Sequence, residues 1–145
     1  MLFRSTTVME VNKTGATLTN DLINGITSLT YGGTLTLVAT GDPLSAGDSF
    51  HLFDAVTYSG GCATLNLPDP GVGLAWDTSS LFTSGTIAVV SSGSPAAPVI
   101  VVQPLSQTND VGATVNFSSC AGGVGHIAYQ WLFNGGVLAA RPMLR

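Results

Sequence analysis

Short apolar runs that alternate with a period of two recur along the chain, and no stretch repeats with the 3.6-residue period of an amphipathic helix. "GTLTL" puts Leu35 and Leu37 on one face against Thr34 and Thr36. "SFHLF" sets Phe50 and Leu52 against His51 and Phe53, "ATLNL" pairs Leu65 with Leu67, and "GTIAV" pairs Ile87 with Val89. Each run is closed by Gly, Asp, Pro or Asn, as a strand bounded by turns should be. The pattern predicts an all-β chain. Stacked short strands explain the composition too. Only 8% of residues are charged, with 18 glycines among 145 residues, because most side chains of such a fold face other strands rather than water.

The same sparse charge limits function. Four basic residues, Arg4, Lys13, Arg141 and Arg145, lie scattered in a chain of net charge -4, so a nucleic-acid backbone finds no cationic surface. No apolar run approaches the ~20 residues of a spanning helix, so no membrane insertion by this segment is expected. "MLFRSTTVMEV" lacks the layout of an export signal, its apolar residues being interrupted by Arg4, Ser5, Thr6 and Thr7. Cys62 and Cys120 are the only cysteines, too few for a disulfide framework or a zinc site. They read as two unpaired, buried thiols, with one bridge between them as the alternative.

A composition shift divides the chain. "SSGSPAAP", residues 91–98, has no large apolar side chain, and its small residues and prolines suit an extended linker. The expected layout is a first unit over residues 1–92, a linker over 93–97, and a second unit over 98–145.

In the first unit, "VNKTGATLTND", "LTYGGTLTL", "GDPLSAGDSFHLFDA", "ATLNLP", "GLAWDTSSL" and "GTIAVV" follow one another. In order and spacing they resemble the closing segment of bacterial autotransporter-associated β-strand repeat proteins. That resemblance implies the terminal module of a right-handed parallel β-helix on a cell surface. Cys62 departs from it, standing where the family pattern implies a bulky aromatic. Stacked rungs need a cap over their open edge, and the prolines of "LPDPGVGLAW" together with Trp76 are candidates to provide it.

The second unit is similar to bacterial immunoglobulin-like domains. "PVIVVQPLSQTNDVGATVNF" resembles strands A and B, and "YQWLFNGG" strand C, which implies a core position for Trp131. Val115 and Phe117 would face inward, leaving Cys120 out of phase with them. A complete sandwich of this kind takes about 100 residues and seven strands, so strands A to C alone make an incomplete immunoglobulin-like unit. The tail "LAARPMLR" does not continue the pattern, as if the reading frame changed near Val137. Such a half-sandwich should lie against the first unit, pair with another copy, or stay partly ordered.

Candidate chemistry is sparse. His51 and His126 lie in different units, and no serine has an evident base beside it. Asp42, Asp48 and Asp54 recur every six residues, with Asp69 and Asp77 beyond. Asp after Gly is ordinary turn chemistry, and converging calcium ligands are the alternative. No catalytic residue, cofactor or metal site is expected. Tyr31 and Tyr58 are the candidate ligand-contact aromatics, while Trp76 and Trp131 are structural. The expected function is a noncatalytic structural or adhesive part of a bacterial secreted or cell-surface protein. Its partners would be the remainder of that protein or other protein or glycan surfaces. A carbohydrate-binding accessory module of a polysaccharide-degrading enzyme is the alternative, and a β-helix lyase or hydrolase fragment a third.

Overall fold

The computed structural model describes residues 5–60, 64–93, 97–125 and 127–138. The protein is all-β. Its first strands are β1 (Thr6–Thr14), β2 (Thr17–Asn20), β3 (Ile23–Tyr31), β4 (Thr34–Gly41), β5 (Ser49–His51), β6 (Phe53–Gly60) and β7 (Thr64–Asn66). Then come β8 (Leu74–Asp77), a single helical turn α1 (Leu81–Ser84) and β9 (Thr86–Ser91). The rest is β10 (Val99–Val102), β11 (Cys120–Gly122), β12 (Leu132–Phe133) and β13 (Gly136–Val137).

Two parallel ladders organise the first ninety residues. β1, β4 and β7 lie side by side, with Thr6 opposite Thr34 and Thr34 opposite Thr64, steps of 28 and 30 residues. β3 and β6 form the second ladder, where Ile23 opposes Phe53 and, after a register irregularity, Ile26 opposes Ala55, steps of 30 and 29. The chain thus visits the two ladders alternately. The alternation seen in sequence becomes layers of like side chains: Met9 stands opposite Leu37, and Thr7, Leu35 and Leu65 form a row. Met9, Val11, Leu35, Leu37 and Leu29 are all buried, since only a stacked neighbour covers the apolar face of a single strand.

A separate antiparallel sheet runs in the order β5-β9-β8. Phe50 opposes Ile87 and Trp76 opposes Val89, and all four are buried. Between β8 and β9 the chain makes α1, which is too short to leave a period in the sequence. Gly85 ends it in the left-handed region, with φ 69°, and donates its N–H to Leu81 O at 3.1 Å. The Gly85 carbonyl accepts from the amides of both Leu52 and Phe53, at 2.9 and 3.2 Å.

Phe53 departs from the expected alternation, because it is buried along with Phe50 and Leu52. Leu52 lies between β5 and β6, outside both strands. The chain changes direction there, and the face count starts again.

Residues beyond 97 use the first unit as their support. β10 and β11 form an antiparallel pair with a register irregularity between Ile100 and Val102. They are followed by a bridge from Val124 to Asp77 at the end of β8. Gly123 and Thr78 exchange hydrogen bonds: each backbone N–H finds its partner, Thr78 N to Gly123 O at 2.9 Å and Gly123 N to Thr78 Oγ1 at 3.1 Å. Gly125 N donates to Trp76 O at 3.0 Å. Residues 113–117, expected as a strand, lie outside the strands, and Phe117 is exposed. Among the described residues no second sheet faces these side chains. β12 and β13 make a two-residue hairpin through Asn134 and Gly135, φ 49° and 80°, the positive-φ pair that such a turn demands.

Candidate functional site

An apolar groove of about 630 Å³ opens between β8 and the residues Cys120, Ala121, Gly125, Ile127 and Tyr129. Its walls come from β7 and β8 through Leu65, Leu74 and Trp76, from α1 through Phe82, and from Cys120, Ile127 and Tyr129. Trp76 is held in place by its own hydrogen bond, Nε1 donating to Pro68 O at 2.7 Å. Proline 68 lends that carbonyl from the crossing segment that the sequence marked out by its prolines. The Tyr129 hydroxyl accepts from the Ala121 amide at 2.9 Å. Among the described residues, the groove's lining carries no carboxylate, imidazole or amine. It can bury apolar surface, but it holds no acid–base pair.

Tyr31 and Tyr58, the candidate ligand-contact aromatics, stack on each other with ring centroids 6.4 Å apart and planes at 15°. Tyr31 is only 4% exposed, with Phe53 and Phe82 edge-on against its ring at 5.8 and 5.0 Å. Its hydroxyl donates to Leu81 O at 2.6 Å. Burial, with the neighbouring Tyr58 adding to it, holds that hydroxyl well above the ordinary tyrosine range and so keeps it protonated as a donor. Tyr58 is half-buried, and its hydroxyl accepts from Ala55 N and donates to Phe53 O. Both rings therefore serve the junction of β6 with α1. Trp76 is 5% exposed, whereas Trp131 is 38% exposed and rests against Phe117 at 6.4 Å.

Three of the aspartates are spent on backbone amides. Asp42 accepts from Gly15 N at 2.7 Å, Asp69 from Gly71 N at 2.9 Å, and Asp77 from Ser79 N at 2.9 Å. Among the described residues no three His, Cys, Asp or Glu side chains gather as metal ligands would. His51 is exposed on β5, with its carbonyl accepting from Asn20 Nδ2. His126 lies outside the described residues, as do Arg4, Arg141, Arg145 and Cys62.

Two features escaped sequence reasoning. Lys13, one of the four scattered basic residues, is 9% exposed and closes on the loop after β4. Its Nζ donates to Ser45 Oγ at 2.8 Å and to both Asp48 oxygens at 2.8 and 3.2 Å, while Asp48 Oδ2 also accepts from Ser45 N at 2.7 Å. The partners stand 32 and 35 residues away, and no local signal links them. Burial pushes the Asp48 carboxyl upward, but the Lys13 hydrogen bond, the Ser45 amide and the Lys13 charge outweigh it and hold the group below its ordinary value.

A test follows from this pair. Lys13→Met keeps the aliphatic stem and removes the charge, and is expected to cost about 2 kcal/mol, between the values for exposed and fully buried pairs. Because the folded-state pKa of Asp48 is depressed, its contribution is complete above the unfolded-state value of about 3.9 and is lost as pH falls below it. The stability gap between wild type and Lys13→Met in urea titrations should therefore be wide at pH 6 and close towards pH 2. A gap that stays constant with pH refutes the assignment.

The second feature corrects the thiol expectation. Cys120 is 2% exposed and disulfide-bonded, so the reading of unpaired thiols does not hold for it. Its backbone lies on β11, where the side chain turns into the core beside the groove.

Comparison of the chain with protein-family models, curated proteins and solved structures found no match. Among the described residues, no helix is long and apolar enough to cross a membrane.

Proposed function

We propose that this chain is a noncatalytic structural or adhesive part of a bacterial secreted or cell-surface protein, its first unit being the closing turns of a longer parallel β-helix. The observation that carries this reading is the pair of parallel ladders repeating every 28 to 30 residues. A chain that returns to the same ladder after each such interval is winding, and winding chains bury their core only between successive turns. The antiparallel sheet β5-β9-β8 together with α1 then serves as the lid on the last turn, which is the role the family resemblance assigns to this segment. Residues 98–145 keep the immunoglobulin-like reading, strands A to C, on resemblance alone.

Location outside the cytosol has its own support, since a disulfide at Cys120 persists in oxidising surroundings. The noncatalytic reading rests on how the described polar side chains are used: Asp42 and Asp69 hold amides, Lys13 holds Asp48, and the described lining of the groove is mostly apolar. The carbohydrate-module alternative loses its best aromatic, because Tyr31 offers no open ring face.

The test uses the coding sequence upstream of Met1. It should encode further strand runs at the same 28- to 30-residue spacing, and a chain extended by two such turns should melt several degrees higher. Upstream sequence lacking that spacing, or an extension that leaves the melting temperature unchanged, overturns the reading.

A further inference from the structure

We propose that the loop between β4 and β5 is an acid-released flap, with Lys13 and Asp48 as the clasp that holds it across β1 and β9. Backbone bonds fix its two ends. At one end Asp42 N donates to Lys13 O at 2.7 Å and Asp42 Oδ2 accepts from Gly15 N at 2.7 Å, which ties the loop to β1 and the turn after it. At the other end Gly47 N donates to Val89 O, and Val89 N to Asp48 O, both at 2.8 Å, which ties it to β9. Lys13 Nζ reaches from β1 to the Asp48 carboxylate and the Ser45 hydroxyl. One ion pair thus joins a strand of the parallel ladder to a loop bonded to the antiparallel sheet.

The backbone suits a flap. Gly41 and Gly47 bound the segment, both at positive φ, 85° and 101°, and glycine can turn at such positions without the strain a side chain brings. Leu44 rides on that segment and packs, partly buried, against the core. Lifting the segment therefore takes Leu44 off the core. Among the described residues Lys13 is the only lysine or arginine, so no second described cation replaces it.

The charges around the clasp make its release a matter of Asp48. Lys13 faces it from β1, whose other charged residue, Glu10, is exposed. β2, β4 and β9 bring no ionisable side chain. His51 on β5 is exposed, and Asp42, in the loop itself, turns its carboxylate to Gly15 N. Burial pushes the Asp48 carboxyl up, yet the Lys13 and Ser45 hydrogen bonds and the Lys13 charge hold it below its ordinary value. A carboxyl so lowered contributes in full above the unfolded value of about 3.9 and loses its contribution as pH falls through the folded one. Its protonation leaves the 9% exposed Lys13 without a counter-charge, which favours the raised flap, where water reaches the ammonium.

Amide hydrogen exchange on the full chain, read as protection factors so that the intrinsic pH dependence of exchange drops out, tests the flap. Between pH 6 and pH 2 the amides of Gly47 and Val89 should lose about tenfold of their protection, while the β1–β4 ladder loses less than about twofold. Asp48→Asn, which fixes a neutral side chain, should show the low values already at pH 6 and no further fall. Asp42→Asn should keep the wild-type response, since that carboxylate serves Gly15 N. Unchanged protection at Gly47 and Val89 in the wild type overturns the flap, and so does an equal loss across the ladder. An Asp48→Asn chain that still responds as the wild type does, or an Asp42→Asn chain that no longer responds, overturns the assignment to Asp48. The wild-type titration stands without either variant, and none of these outcomes depends on whether the first unit belongs to a longer β-helix.

Discussion

Gly85→Ala is expected to destabilise the protein by about 3 kcal/mol or more, as strain and a backbone collision act together. At φ 69° an L-residue costs about 1 to 2 kcal/mol on conformation alone. A Cβ at this position would also run into the carbonyl of Phe53. That carbonyl cannot retreat freely. The Phe53 amide is bonded to Gly85 O, and the side chain of Phe53 is buried against Tyr31. The collision therefore forces α1 away from the start of β6. Gly15→Ala makes the control, since its φ of 60° is similar and a Cβ there meets nothing within 4 Å. The control should lose only about 1 kcal/mol. Urea midpoints of the two variants measure the difference, and equal losses would show that the Phe53 contact contributes nothing.

Phe50→Ala should be the other large loss, about 3 to 5 kcal/mol, the range for a phenylalanine removed from a packed core. Phe50 is 0% exposed, opposes Ile87, and has its ring 6.2 Å from that of Trp76. Its neighbours lie on β9 and β8, so the hole left behind borders both strands and the interior at once. The surrounding backbone is held in paired strands and cannot collapse to fill it. Chemical denaturation gives the magnitude. A loss below about 1 kcal/mol would mean the cavity closes.

Much of the local architecture was legible from the residues. The burial of Leu35 with Leu37 and of Ile87 with Val89 follows the two-residue alternation, because a strand's faces are set by its own pleat. Asp48 accepts from the Ser45 amide three residues away, as its place after Gly47 in a turn implied. Trp76 is buried and bonded through Nε1 to Pro68 O in its proline-rich neighbourhood.

Other features depend on residues far apart in the chain. Alternation says which face of a strand is apolar, but not whether the neighbour runs parallel at a 28-residue interval or antiparallel across a turn. The burial of Phe53 required the bend at Leu52, which resets the face count. Tyr31 looked available to a ligand until β6 and α1 closed on its ring. Lys13 found Asp48 across 35 residues, and Cys120 entered a disulfide that its phase within "VNFSSC" did not announce.

By itself, then, the sequence determined an all-β chain of short strands, the apolar face of each, and the turns between them. The tertiary structure alone decided which strands meet, which distant side chains share the core, and where the groove opens. The physical reason is range. Pleat and turn geometry act over two to four residues. Ladder register, burial and the joining of distant side chains are set only when the whole chain has wound back on itself.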